Sequence, residues 1–183
     1  AVNQGIEASA PGSDILLANT DLSWTGGPGW MRKLQRLAQE TGAGIVAPRL
    51  RGMLGDLQSV GAYLADNATG VPGLGIPEDR GQYVRVREVQ HVTFACVLIT
   101  RECLDAIGAL DDSMALYWSD TECCLRAKRA GLKTLLHGGV TIVHWEGGST
   151  GQGISPIRER ALRRDRTAFL RAVGLAQEAD EDP

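Results

Sequence analysis

Asp21, Asp120 and His144 are the residues whose types and placement could do chemistry together. Asp21 closes the run Asp14-Ile15-Leu16-Leu17-Ala18-Asn19-Thr20-Asp21, which reads as a buried strand ending in a carboxylate. Ligands of open α/β sheets bind at such carboxyl ends. An ionised carboxylate is seldom buried without a cation, donor or metal, although a loop carboxylate that caps the following turn is the plain alternative. Asp120 falls in the first turn of a helix, where the dipole favours negative charge and a rigid amino end could mount a general base. Acids also sit there simply because they stabilise helices, by about 0.3 to 1 kcal/mol. His144 closes an apolar strand, either as a hydrogen-bonded structural residue or as a ligand. Imidazole and carboxylate together suit a divalent first-row metal, so Asp21 and His144 can share an ion if their strands end at one edge of a common sheet. His91 and His137 have no such partner in the pattern and read as structural.

Trp118 and Trp145 stand beside Asp120 and His144, either as core residues or as faces on which a sugar stacks. Arg158, Arg160, Arg163, Arg164, Arg166 and Arg171 give the last helix a basic face. Solvated surface is the simple reading of that face, and binding of pyrophosphate or an anionic lipid headgroup the sharper one.

The elements that must position these residues follow from periodicity. After the first strand, Gly26-Gly27-Pro28-Gly29 opens a helix with Trp30, Met31, Leu34, Leu37 and Ala38 on one face, and Gly42 ends it. Gly44 to Pro48 reads as a short buried strand, which completes a strand-helix-strand unit of the kind that makes parallel crossovers. The stretch from Arg51 to Arg87, punctuated by Pro72 and Pro77, reads as a functional loop with a strand at Leu57 to Tyr63 and alternation at Tyr83 to Arg87. Val89 to Ile99 predicts a central strand, followed by a helix at Glu102 to Ile107 that Gly108 closes. Ser119 with Glu122 predicts a capping box for the helix bearing Asp120. Strands are expected at Lys133 to Leu136 and Val140 to Trp145, and a last helix from Ser155-Pro156 to Gly174 with Ile157, Ala161, Leu162, Phe169 and Val173 inward. Residues 1–174 are expected to form one α/β domain and 175–183 a frayed acidic tail.

With 183 residues, 43% hydrophobic and 22% charged, the chain has material for a sizeable core. A net charge of -3 gives no case for nucleic acid. The apolar runs are too short for a membrane span, which with the absence of a basic-then-apolar amino end leads us to expect a cytoplasmic protein, in solution or at the inner face of the membrane. Cys96, Cys103, Cys123 and Cys124 show no C-x-x-C spacing and read as reduced thiols, and Asn67-Ala68-Thr69 as a chance glycosylation triplet. The chain starts at Ala1 and runs at once into a short helical pattern, as if something preceded it.

In order along the chain, these residues resemble the family-2 type of inverting GT-A glycosyltransferases. The likeness runs through Asn3-x-Gly5, Leu16-Leu17-Ala18-Asn19-Thr20-Asp21, Gly29-Trp30-Met31, Val46-Ala47-Pro48 and Ala95 to Arg101. It continues through Ile107-Gly108-Ala109-Leu110-Asp111, Tyr117 to Arg126, Ala130-Gly131 and His144-Trp145-Glu146-Gly147-Gly148-Ser149. The resemblance implies a GT-A-like mixed, mostly parallel sheet flanked by helices, and transfer of a hexosyl or rhamnosyl group from a nucleotide-sugar donor to a glycan or glycolipid acceptor in polysaccharide biosynthesis. It implies that Asp21 and His144 bind Mg²⁺ or Mn²⁺, that Asn19 and Asp21 face the donor, and that Asp120 deprotonates the acceptor. Trp118, Ser119, Phe94 and Trp145 would line the acceptor side.

The chain departs from that pattern at several places. Asn19 and Thr20 replace the commoner acid and proline of the metal triplet, Ser119 stands where a glutamate usually stands, and Phe94 replaces a glycine beside the acceptor cleft and narrows it. The family's opening strand-loop-strand, which holds the nucleoside, has no counterpart, so a longer chain, a second copy or a partner chain is expected to complete the sheet. A non-catalytic carbohydrate-binding or scaffolding protein of the same descent is the alternative, and a metal hydrolase built on Asp21, Asp120 and His144 a third reading.

Overall fold

The computed structural model describes residues 1–24, 27–64, 70–71, 81, 83–145 and 155–175. The expected tail at 175–183 beyond Leu175, the Gly-rich turn after Trp145, Gly26, Pro72, Pro77 and the Asn67 triplet lie outside them. In order, the elements are α1 (Val2–Glu7), β1 (Ile15–Ala18), β2 (Leu22–Ser23), α2 (Gly29–Thr41), β3 (Ile45–Arg51), β4 (Leu57–Ser59), β5 (Tyr63–Leu64), β6 (Gly70–Val71), β7 (Val86–Val89), β8 (Cys96–Ile99), α3 (Arg101–Ile107), α4 (Ser119–Arg129), β9 (Thr134–His144) and α5 (Pro156–Ala172).

Seven strands of the described residues share one sheet in the order β1-β8-β3-β9-β2, with β4 also on β3 and β7 also on β9, while β5 and β6 pair apart. Among the described residues only β3 and β9 pair in parallel; β1 with β8, β8 with β3, β3 with β4, β7 with β9 and β2 with β9 are antiparallel. This corrects the expected mostly parallel sheet. The unit β1-α2-β3 does return the chain in its original direction, but β8 inserts antiparallel between the two strands. A strand-helix-strand pattern sets the direction of two strands without making them neighbours. The result is an α/β fold with a mixed, mostly antiparallel sheet and, among the described residues, five helices, an arrangement not specific to GT-A.

Two strand expectations change for local reasons. The segments expected at Lys133 to Leu136 and Val140 to Trp145 form the single strand β9, whose register on β3 jumps from Pro48↔His137 to Arg49↔Thr141. Proline has no N–H for the ladder, and the jump falls where it is absent. Gly138 sits in the jump, and a Cβ there would lie 1.9 Å from the Tyr83 backbone oxygen, so only glycine admits that close approach. The long strand expected over Val89 to Ile99 is split between β7 and β8, and Thr93, Phe94 and Ala95 between them are freed to form a cavity wall.

Strand β3 is buried on both faces, as its apolar run requires. Ile45 and Ala47 pack with Cys103 and Leu104 of α3, Cys123 and Cys124 of α4, and Leu136, whereas Val46 and Leu50 pack with Leu34 and Ala38 of α2. Each such fully buried aliphatic side chain contributes about 1.5 to 3 kcal/mol. All four cysteines are free and buried, and burial pushes the Cys96 and Cys103 thiols up to about 11 and Cys123 to about 12. They are inert core residues. On α5, Phe169 is fully buried, but Ile157, expected inward, is 73% exposed.

Candidate metal and acceptor site

Because β1, β3 and β9 run in one direction, their carboxyl ends share an edge. The segment Asn19-Thr20-Asp21 leaves β1, with Asn19 N–H donating to Ala95 O at 2.8 Å, and joins β2, where Leu22 lies opposite His144. Trp145 N–H then donates to Asp21 O at 2.9 Å. These backbone ties bring Asp21 Oδ1 to 3.3 Å from His144 Nε2, with the side chains 17% and 13% exposed. The two residues singled out at separate strand ends therefore meet.

His144 also lines a cavity of about 970 Å³ that Asn19, Phe94, Trp118, Ser119 and Asp120 line too. Leu17, Leu110, Leu116 and Leu162 make much of the remaining wall apolar. Trp145 is not in it: its ring is about half exposed and donates from Nε1 to Ser23 Oγ at 3.2 Å. Asp21 is not among the lining residues, but it contacts His144, which is.

Helix α4 mounts Asp120 differently from the expected capping box. Its N-cap is Trp118, whose side chain makes no capping hydrogen bond, and Glu122 turns instead to Arg126 Nε at 2.6 Å. Arg126 in turn donates to Ile107 O and Ala109 O, so the Glu122 carboxylate is buried as the counter-ion of a residue that ties α4 to the end of α3. Trp118 has φ 68°, the left-handed region that costs a non-glycine residue roughly 1 to 2 kcal/mol. Its cost is covered from α5: Asp165, fully buried, accepts from Leu116 N–H at 2.7 Å and Tyr117 N–H at 3.0 Å, and Trp118 stacks on Phe169. Such strain held by surrounding structure is typical of functional sites. Asp120 accepts from Thr121 N–H at 2.7 Å and Thr121 Oγ1 at 3.3 Å, both on Oδ1.

Two curated bacterial proteins are similar to this chain. The uncharacterized protein y4gI of Sinorhizobium fredii is 31% identical over 173 residues, 90% of this chain and 19% of its own length. The O-antigen biosynthesis protein RfbC of Myxococcus xanthus is 28% identical over 155 residues, 81% of this chain and 12% of its own. The chain is thus distantly homologous to both and spans a fifth or less of either. No family pattern matches it.

The cavity also holds residues that sequence reasoning set aside. His91 is 9% exposed, lines the wall, and neither ring nitrogen has a hydrogen-bond partner among the described residues. Burial lowers its pKa, against the opposing pull of the Asp120 carboxylate. The Trp118 indole N–H is likewise buried without a partner among the described residues. Asp165 gave no sign of its role, sitting in a run of arginines of which Arg164 is its partner at 2.8 Å. The basic face of α5 is partly spent within the chain, since Arg163 pairs with Glu159 and Arg158 donates to Tyr117 Oη. Among the described residues no helix is long and apolar enough to cross a membrane.

Proposed function

We propose that this chain forms the metal and acceptor side of an inverting glycosyltransferase that moves a sugar from a nucleotide-diphosphate donor to a hydroxyl of a glycan or glycolipid. The observation that carries the reading is the Asp21–His144 pair at 3.3 Å, opening beside a cavity whose wall includes Asp120. The donor set fits a divalent ion. Two ligands about 2.1 Å from one Mg²⁺ or Mn²⁺ ion stand roughly 3 Å apart when adjacent, close to the spacing of this pair. Among the described residues no third His, Cys, Asp or Glu joins Asp21 and His144 as a candidate ligand, so these two residues would hold the ion. Asp21 and His144 would hold a cation whose charge would offset the one that develops on a departing diphosphate.

The remaining steps belong to the chain's own groups. Asp120 Oδ2, which accepts neither of the Thr121 hydrogen bonds, takes the proton of the acceptor hydroxyl. The acceptor oxygen bonds to the anomeric carbon as the bond to the diphosphate oxygen breaks on the opposite face, and the configuration inverts. Trp118, Phe94 and the leucines exclude water from the acceptor, and Asn19, which lines the same cavity, would face the donor. Similarity to a protein named for O-antigen biosynthesis supports a polysaccharide substrate.

Calorimetry with several sugar nucleotides tests this, with and without Mn²⁺, on the wild type and Asp21→Ala. Mn²⁺-dependent binding lost in Asp21→Ala supports the reading. Failure of the wild type to bind any donor, even with candidate partner chains present, favours the alternative of a carbohydrate-binding or scaffolding module.

A further inference from the structure

Gln58, the middle residue of β4, meets His144 with both ends of its amide: Nε2 donates to the His144 carbonyl oxygen at 3.0 Å, and Oε1 lies 3.1 Å from Nδ1. A backbone carbonyl can only accept, which places the amide NH₂ on that side and the amide oxygen against the ring. An amide oxygen can also only accept, so the hydrogen of this contact resides on Nδ1. In the neutral ring His144 Nε2 then carries the lone pair, and it faces Asp21 Oδ1 at 3.3 Å. A lone pair aimed at a carboxylate oxygen is repulsive unless a cation lies between them.

We infer that Gln58 is a positioning residue that sets the His144 tautomer, turning its Nε2 lone pair and the Asp21 carboxylate into a pair of ligands for one divalent cation. The inference rests on the metal reading of Asp21 and His144 above and adds to it a residue far from either in sequence. Gln58 holds the ring at two points, through Nδ1 and through the backbone of the same residue, so it restrains rotation of the imidazole as well as its protonation pattern. Outer partners of this kind are worth about 10- to 100-fold in metal affinity. Gln58 is half-buried on β4, which pairs with β3 beside the carboxyl end of β9, and nothing in its local sequence marks it.

The test measures Mn²⁺ affinity of the full chain by titration followed by electron paramagnetic resonance, and the His144 tautomer of the metal-free protein by ¹⁵N NMR at pH 8. In the wild type the Nδ1–H form should dominate. Gln58→Leu should bind Mn²⁺ about 10- to 100-fold more weakly and shift the ring toward the Nε2–H form. Gln58→Glu keeps an acceptor for Nδ1–H, and should retain the tautomer and most of the affinity, which separates positioning from a general loss of structure. Wild-type affinity in Gln58→Leu, or an Nε2–H tautomer in the wild type, overturns the role of Gln58 and leaves the metal pair standing. Equal absence of Mn²⁺ binding in the wild type and Asp21→Ala instead removes the metal reading, and this inference with it.

Discussion

The rings of Trp118 and Phe169 stack with centroids 4.8 Å apart and planes 25° from parallel. This contact joins the first turn of α4 to the buried side of α5, one helical turn beyond Asp165. Helix α5 therefore acts on the cavity from behind. It holds the left-handed Trp118 through ring contact and the preceding Leu116 and Tyr117 through their amides, and Asp120 follows directly from that turn.

Asp165→Asn should destabilise the protein by about 1.5 to 3 kcal/mol at pH 7, the worth of hydrogen bonds to a charged group. Burial pushes the Asp165 carboxyl up, but the Leu116 and Tyr117 amides and the Arg164 guanidinium outweigh it and hold the group below its ordinary value. A folded-state value below the unfolded one of about 3.9 means the contribution is complete above that pH and is lost as pH falls through the folded value. Urea denaturation should accordingly show a constant gap between wild type and variant from neutral to mildly acidic pH, closing under stronger acid. A gap that persists unchanged under strong acid would show that the charge is not what stabilises the loop.

Gly138→Ala should cost about 1 to 3 kcal/mol, an overpacking penalty. The added methyl would lie 1.9 Å from Tyr83 O, a backbone atom with no rotamer to move to. The irregularity in β9 would have to shift, and with it the register that carries His144 to the edge. Thermal melting reads the loss, and a variant as stable as the wild type would mean that the Tyr83 segment gives way instead.

What could be read from the chain without coordinates divides along physical lines. Asp21 and His144 were legible because each ends an apolar run, and two such ends with a shared direction fall on one edge. Asn19, Phe94, Trp118, Ser119 and Asp120 do line one cavity, whereas Trp145 turns outward to Ser23. The capping box at Ser119 does not form: Trp118 is the N-cap, and Glu122, which stands four residues before Arg126, takes that competing i,i+4 pair, equally visible in the sequence. Sheet order was not legible: pairing of β1 with β8 is a long-range choice that local patterns do not encode. Asp165 and Gln58 carry no local signature, since the Leu116 and Tyr117 amides and His144 that they meet lie far away in the chain, and His91 gives no local sign that it lines the cavity.

His91→Leu should leave stability unchanged or raised at pH 7, and raise it further at pH 5.5. Replacing an unpartnered buried polar group by an apolar one removes a desolvation cost of about 1 to 3 kcal/mol. The acid effect has a definite sign. Burial lowers the folded-state pKa of His91, against the Asp120 carboxylate, and that of His137. Both bind protons more readily when unfolded, so wild-type stability declines as pH falls below about 6.5 and toward the folded values. The variant should show a shallower decline, with His137 accounting for part of what remains. Identical pH profiles for the two proteins would mean that His91 has a partner in solution.

Asp120→Asn and Asp21→Asn should fail in different ways if the proposed transfer is correct. An amide in place of the Asp120 carboxylate cannot take a proton, so the turnover of a protein carrying this segment should fall by about 10²- to 10⁴-fold, the usual contribution of a general base. Mn²⁺ and donor affinity should stay near wild type, because Asp120 accepts from Thr121 and, among the described residues, makes no hydrogen bond or ion pair with Asp21 or His144. Asp21→Asn removes the only anionic member of that pair and should weaken Mn²⁺ binding first, with turnover partly restored at high Mn²⁺ concentration. Measuring kcat and Mn²⁺ dependence for both variants separates the two roles. Rescue of Asp120→Asn by added Mn²⁺ would place Asp120 among the ligands and leave the reaction without its base.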